Sequence, residues 1–368
     1  MNARTTHHPL FGLLTFIALI FTLFILKSLI IPILYAIILA VMIFPVQSFL
    51  ENRWRFNRLL ATFCSLFIIF FITVLLALLI YFQLNSIANN GEDYTKNIIE
   101  LYQNISASLQ DSFNLDSNAL FSSELKIENL IKSNFDKIGQ LITQSGSLIG
   151  NMVLIPIYLF FFLYYRRFFR VFYYKLFRHK SKTFLNAMIG KIYHIQQKYL
   201  IGLVKVIIIV GILNTIGLFI LGIDHALFFG FLAAILLIIP YIGVIIGSLI
   251  PAVFALATHD NPWSAFGVIA IFMFIQFLEG NFITPKITGS QVSINAFIAI
   301  VSLIIFSMLW GIAGMIVALP ITATLKIIFD NTPGYQAYGF LIGDPIDKHL
   351  QSRARNRLKA LKQLKIKN

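Results

Sequence analysis

Glu279 is the side chain in this sequence best placed to do chemistry. It stands near the end of an apolar run, Trp263 to Ile283, with the polar residues Gln276 and Asn281 on either side. An ionisable group in or near a bilayer is costly to keep there and by default marks a function, such as binding a proton, a sodium ion or a polar substrate. Lys286 follows about two helical turns later, and Pro285 is expected to end the helix between them. The plainer alternative places Glu279 at the membrane interface, paired locally.

Two other strings carry backbone chemistry. The first is Pro240-Tyr241-Ile242-Gly243, continued by Gly247 and Pro251-Ala252. Proline removes a backbone donor and breaks the helical ladder, and glycine allows unusual backbone angles and close approach. Together within one apolar run they free amides and carbonyls at membrane depth, which is tolerated only against other protein or a wet cavity, the place where transporters hold substrates. A kinked helix with a small-residue packing face, as Gly243 and Gly247 would give, is the structural alternative. The other string runs from Gly311 through Gly314 to Pro320 and has the same character. Each half of the region 226–329 thus holds one Gly/Pro-interrupted run, the pattern of repeat-built transporters with broken helices. Asn214, inside another apolar run, either joins a polar lining or bonds a neighbouring helix. Asp224 and His225 read as a solvated turn, and Lys205 and Lys326 as snorkelling cations.

Enzyme signatures do not appear. The sequence has no phosphate-binding glycine loop ending in Gly-Lys-Ser/Thr, no His-Glu-x-x-His and no Gly-x-Ser-x-Gly elbow, and its seven histidines show no metal-ligand spacing. Cys64 is the only cysteine, so no intrachain disulfide or multi-cysteine metal site can form. The expectation is a protein that is not an enzyme and needs no cofactor or metal.

The elements that must position these residues follow from composition. Of 368 residues, 58% are hydrophobic and 12% charged, where a soluble domain carries about a quarter charged. Mean hydropathy is +0.83. A water-soluble fold and intrinsic disorder are both excluded. Continuous apolar runs, rather than short alternating ones, point to membrane helices and not a barrel. The fold class is therefore all-α, a polytopic helical membrane protein of about eight transmembrane segments.

The first runs are Leu10–Leu26 and Leu29–Leu50, expected as an uncleaved anchor and a tight helical hairpin, followed by Leu59–Leu84. Residues 85–145 hold eight of the fifteen acids, with apolar residues at helical spacing, and read as an extracytoplasmic helical hairpin. Residues 146–165 form the fourth span. The segment 166–202 is basic and amphipathic, and 203–329 is the transport core, with two overlong runs, Ala226–Thr258 and Ile294–Phe329. The tail 330–368 is basic, and its leucines at helical spacing describe an amphipathic helix on the inner membrane surface, with no nucleic-acid motif. The net charge of +14 is concentrated in the Arg53–Arg58 loop, the 166–198 stretch and the tail. The positive-inside rule makes these cytoplasmic, the acidic hairpin external and both termini internal. Whether each overlong run is a tilted helix, a broken helix or a re-entrant hairpin stays open.

Taken in order, the strings Ile239–Ala252, Glu279–Gly289 and Gly311–Pro320 resemble the autoinducer-2 exporter family of bacterial permeases, and the layout before them is similar over nearly the whole chain. Where family members often have a proline near the start of the last run, this chain has Asn295-Ala296. The resemblance implies a permease of the bacterial inner membrane, with export of the furanone quorum signal autoinducer-2, sodium/proton antiport or a general permease role among the family's associations.

The function expected is export of a small polar solute or ion by alternating access. The path is expected at Pro240, Tyr241, Gly243, Gly247, Pro251, Glu279, Asn281, Pro285, Gly311, Gly314 and Pro320, with Glu279 as the coupling group. A cation/proton antiporter is the second reading and a non-transporting membrane scaffold the third. The expected partners are the lipid bilayer and the solute, and the small-residue faces are compatible with a homo-oligomer.

Overall fold

The computed structural model describes residues 9–89, 97, 99–100, 146–259, 261, 263–288 and 294–343. Most of the expected external hairpin, Gly289 and the basic tail beyond Gly343 lie outside these. Every described element is helical, apart from one isolated bridge between Ile294 and Gly343. The helices are α1 (Pro9–Ile25), α2 (Lys27–Arg53), α3 (Arg58–Asn89), α4 (Gly146–Tyr164), α5 (Arg166–Leu176), α6 (Lys182–Ile220), α7 (Ala226–Leu236), α8 (Ile242–Thr258), α9 (Trp263–Leu278), α10 (Thr284–Thr288), α11 (Ala296–Asp330) and α12 (Gln336–Ile342). Among the described residues, five stretches are by length and composition long and apolar enough to cross a membrane: Lys27–Arg53, Arg58–Ile87, Lys182–Ile220, Trp263–Ile287 and Ala296–Asp330. At 1.5 Å per residue, α7 rises about 16 Å, too little to cross a hydrocarbon core of about 30 Å.

The chain divides into two compact units, Met1–Pro45 with Ile155–Leu200 and Gly289–Asn368, and Val46–Leu154 with Ile201–Thr288.

In the first unit, α1 and α2 depart from the expected tight hairpin. Leu26 alone separates them, with Leu26 N donating to Thr22 O and Ile30 N donating to Leu26 O, both at 2.9 Å. No residue near this junction has the positive φ that a sharp reversal uses, and the two helices meet at a one-residue break. The basic stretch after Tyr165 folds as α5 and the start of α6. The Ser181 hydroxyl caps α6 by accepting from Phe184 N at 3.2 Å. The Gln196 amide donates to Pro320 O at 2.5 Å and to the Thr324 hydroxyl at 2.8 Å, which fixes the start of α6 to α11. Asn295 caps α11, its side chain accepting from Ile298 N and donating to the carbonyls of Leu341 and Gly343. Asn295 thus supplies both a helix cap and a tie to α12.

In the second unit, α2 and α3 are laced across their turn by buried Gln47, whose amide donates to Thr62 at 2.9 Å and Glu51 at 3.0 Å. Most of the apolar surface of α3 is exposed, including Phe67, Phe70 and Phe82, as suits a helix bathed in lipid. The core is built from α6 to α9 around Leu218, Phe229, Ala233, Ala252, Phe254, Ala255, Val268 and Phe272. Lipid tails are as apolar as these side chains, so the core coheres through close van der Waals packing, which the alanines and glycines permit.

Candidate functional site

The Pro240 break decides the form of the first overlong run. Residues 237–241 leave the helix, and Tyr241 takes φ 64° and ψ −55°. Antiparallel α7 and α8 follow from this reversal. The Phe229 and Phe254 rings pack 4.7 Å apart, and a Cβ on Gly247 would stand 3.0 Å from Ala233 Cα. At the tip, a Cβ on Gly243 would overlap the Leu236 carbonyl. Glycine is required there because a backbone carbonyl occupies the side-chain position. The run is a helical hairpin and not a kinked rod. Pro240 sits in the turn, Tyr241 is exposed, and Gly243, Gly247 and Pro251 are buried along α8.

The first unit contains the same device. Within α11, Gly311 has φ 64° and ψ −143°, and a Cβ on Gly314 would overlap the Phe306 carbonyl. Eight residues of unbroken helix would separate those positions by about 12 Å, so α11 doubles back at Gly311. Trp310 Nε1 donates to Leu23 O at 3.0 Å and the Tyr35 hydroxyl donates to Ala313 O at 3.2 Å, anchoring the turn from α1 and α2. Gly314 and Pro320 are buried in the returning arm.

The Glu279 segment differs from expectation in one respect. Pro285 does not end its helix. After Leu278 the chain widens into a π turn over Glu279–Ile283, with Thr284 N donating to Glu279 O five residues back, and α10 continues through Pro285 to Thr288. The wider turn accommodates the missing proline N–H and its ring, which would clash with a normal i−4 carbonyl. π turns of this kind recur at functional sites. The Glu279 carboxylate accepts from Gln276 Nε2 at 2.6 Å and from the Thr284 hydroxyl. Both donors are neutral. Asn281 is exposed and donates to Phe277 O of its own helix at 2.9 Å.

Gln276 leads from Glu279 into a cavity within the second unit. Asn214 of α6, Ala233 of α7, Leu237, Val244 of α8, and Phe272 and Gln276 of α9 form most of its walls. It has room for about one water-sized occupant. Asn214 is 3% exposed, and its Oδ1 is buried without a hydrogen-bond partner among the described residues. An unmet buried carbonyl costs about 1–3 kcal/mol, so this oxygen marks a place where an occupant would be held. Asn214 is the residue that sequence reasoning left ambiguous. One asparagine in an apolar run carries no mark of what it faces, and its companion Gln276 lies far away along the chain.

Helices of this length and apolarity, broken at Gly and Pro, define a polytopic helical membrane protein. The chain belongs to the AI-2E family of transporters, whose family model matches residues 13–334. It is 30% identical to YueF of Bacillus subtilis (strain 168), named only as a candidate transport protein, over 83% of this chain and 84% of that one. It is 25% identical to TqsA of Escherichia coli (strain K12), named as an AI-2 transport protein, over 86% and 90%. A candidate transport protein of Haemophilus influenzae (strain ATCC 51907 / DSM 11121 / KW20 / Rd) is 23% identical over 94% and 99%. The protein therefore works in a lipid bilayer, crosses it more than once and carries a solute.

Proposed function

We propose that this protein is a secondary permease of the bacterial inner membrane that exports a small polar solute by alternating access, with both termini in the cytoplasm. The observation that carries the reading is the polar group of buried Asn214 with the half-buried Gln276 and Glu279, set where a Pro-broken helical hairpin packs against α6 and α9. Asn214 presents an acceptor oxygen there, and the Glu279 carboxylate stands one hydrogen bond away behind Gln276, a polar pair suited to a hydroxylated solute. The similarity to TqsA makes autoinducer-2, a hydroxylated furanone, the first candidate. The cavity holds about one water, so passage of such a solute requires the hairpin of α7 and α8 to move relative to α9. Gly243, Gly247 and Pro251 are its packing surface, Pro240 and Tyr241 its tip, and the Gly311–Pro320 turn is the matching broken element of the other unit. Asn281 and Pro285 serve by shaping the π turn that presents Glu279.

Cation/proton antiport is favoured as a second reading by one observation: Glu279 is the only carboxylate between Trp263 and Phe329. Everted, energised vesicles from cells with and without the protein test both. Accumulation of autoinducer-2 that needs the protein supports the exporter, and cation-evoked pH recovery without it supports the antiporter. Silence in both assays overturns the proposal.

A further inference from the structure

We infer that α5 is a docking surface for anionic phospholipid, lying in the headgroup layer with its aromatic face in the acyl chains and its cations against the phosphates. The inference concerns how the protein is held in its membrane and goes beyond the question of which solute it carries.

The sequence supplies the two faces. At 3.6 residues per turn, α5 gathers Phe168, Phe169, Phe172 and Leu176 on one side and Arg166, Arg167 and Arg170 on the other, with Lys175 at the border beside Phe168. From Arg166 to Lys182 the chain carries seven Lys or Arg and no Asp or Glu. Eleven residues rise about 16 Å, too little to cross a bilayer, so a helix with these faces lies along its surface. The chain reaches α5 through Tyr165 alone, which closes apolar α4 with a bend at ψ 19°. The helix therefore begins where hydrocarbon gives way to headgroups, the depth that tyrosine prefers.

Packing decides which face stays open. On the basic side the Tyr174 hydroxyl donates to Asn186 Oδ1 of α6, and the Phe169 ring packs 5.3 Å from Phe162 of α4. These two contacts fix the roll of α5 and leave the rest of its apolar face uncovered. Phe168 is 64% exposed, Phe172 56% and Leu176 58%, and no residue of the helix is buried. Adjoining apolar side chains left open in this way mark an interaction surface. Charge decides the occupant. A second copy docked by a twofold contact through this face would bring the same cations together. An anionic lipid surface meets both faces at once: acyl chains take the rings, and the phosphates take the cations. Arginine pairs phosphate through its planar fork, Lys175 reaches headgroup level along its apolar stem, and each cation near the surface adds to the attraction. A zwitterionic surface would take the rings but offer the cations no net charge.

The test uses the full-length chain in nanodiscs of mixed phosphatidylcholine and phosphatidylglycerol. A fluorophore is attached at Phe172→Cys on a Cys64→Ser background, and its quenching is read with an acyl-chain nitroxide carried either by phosphatidylglycerol or by phosphatidylcholine at the same mole fraction. The phosphatidylglycerol quencher is expected to be at least about twofold more effective, through enrichment of anionic lipid around α5. That preference should shrink at about 1 M salt, where the Debye length is about 3 Å. It should vanish when Arg167→Gln, Arg170→Gln and Lys175→Gln are combined, while quenching itself remains. Equal quenching by the two lipids in the parent overturns the inference. Quenching by neither overturns it too, and assigns the open face to a protein partner. A preference that survives the triple substitution also overturns it, since its source would then lie outside α5. The label is repeated at Leu176→Cys, one turn on, so that a local defect at position 172 does not decide the result. The readout involves no flux, so it is independent of what the protein transports.

Discussion

Gln276 donates its side-chain amide to Glu279 at 2.6 Å from one turn earlier on the same helix, while also forming part of the wall of the cavity that holds the unpartnered Asn214 oxygen. The ionisable residue of the membrane core therefore does not face the cavity directly. Its carboxylate meets the neutral Gln276 amide instead. An ionised Glu279 is acceptor-only and holds the Gln276 amide; a protonated one offers a donor of its own and holds it less firmly.

Replacing Glu279 by Gln is expected to remove the pH dependence of transport and to leave the protein in the membrane. Glutamine keeps the length and accepts from Thr284 and Gln276 through its carbonyl, so the π turn is preserved while the proton and charge are lost. Flux in everted vesicles, measured as a function of pH, should become flat. A pH profile unchanged from the parent would take Glu279 out of the mechanism.

Gly243→Ala is expected to be strongly destabilising, and Gly280→Ala neutral. At Gly243 the new methyl meets the Leu236 carbonyl, a backbone atom that cannot swing away, whereas at Gly280 nothing lies within 4 Å. Overpacking of this kind costs about 1–3 kcal/mol, and alanine is the better helix former where space is free. Thermal unfolding of the two variants side by side gives the comparison. Equal Tm values would mean that α7 and α8 do not approach as closely as the structure has them.

Glu279 and the Gly/Pro strings were legible in the sequence because their cost is intrinsic. A carboxylate in an apolar run, or a proline in the middle of an overlong one, needs an explanation wherever it ends up. The form of the answer was less accessible. That Ala226–Thr258 doubles back, rather than bending, depends on Tyr241 taking a left-handed φ and on Gly243 meeting the Leu236 carbonyl; the first is unusual for a tyrosine, and the second is a contact that only the fold creates. Pro285 would stop an ordinary helix, but a single π turn absorbs it, and nothing in the residue types announces an i−5 bond. The α1–α2 hairpin failed for a related reason. A short polar break around Lys27 and Ser28 reads as a turn, yet helical hydrogen bonds run through Leu26 without any residue able to reverse the chain.

Removing residues 90–140 is expected to leave measurable flux. The polar cluster and both broken turns lie in segments outside that stretch. A shortened chain with a Gly/Ser bridge, assayed in the same vesicles, should keep a substantial fraction of parental transport. Complete loss of flux with normal membrane insertion would give the acidic segment a direct role, as a scaffold reading requires.

Gly311→Ala is expected to destabilise for a different reason from Gly243→Ala. No atom lies within 4 Å of the added methyl, but φ 64° with ψ −143° is a backbone conformation essentially reserved for glycine. Such strain costs about 1–3 kcal/mol. Gly311→Asn should be no better, since asparagine tolerates left-handed φ only with ψ near +45°. A Tm for Gly311→Ala equal to the parent's would show that α11 does not need this reversal.

The anchors of that reversal give the last prediction. Trp310 and Tyr35 each make one side-chain-to-backbone hydrogen bond, to Leu23 O and to Ala313 O, on either side of Gly311. Trp310→Phe and Tyr35→Phe keep most of the ring packing and delete one donor each, so each should cost about 0.5–1.5 kcal/mol. If both bonds hold one turn, the second deletion removes less than the first, because the turn has already loosened. The double variant should then fall short of the summed single losses by about 0.5 kcal/mol or more. Thermal unfolding of the four proteins in nanodiscs gives the cycle. Strict additivity would mean that α1 and α2 hold α11 at two independent points and that the Gly311 turn is not a cooperative hinge.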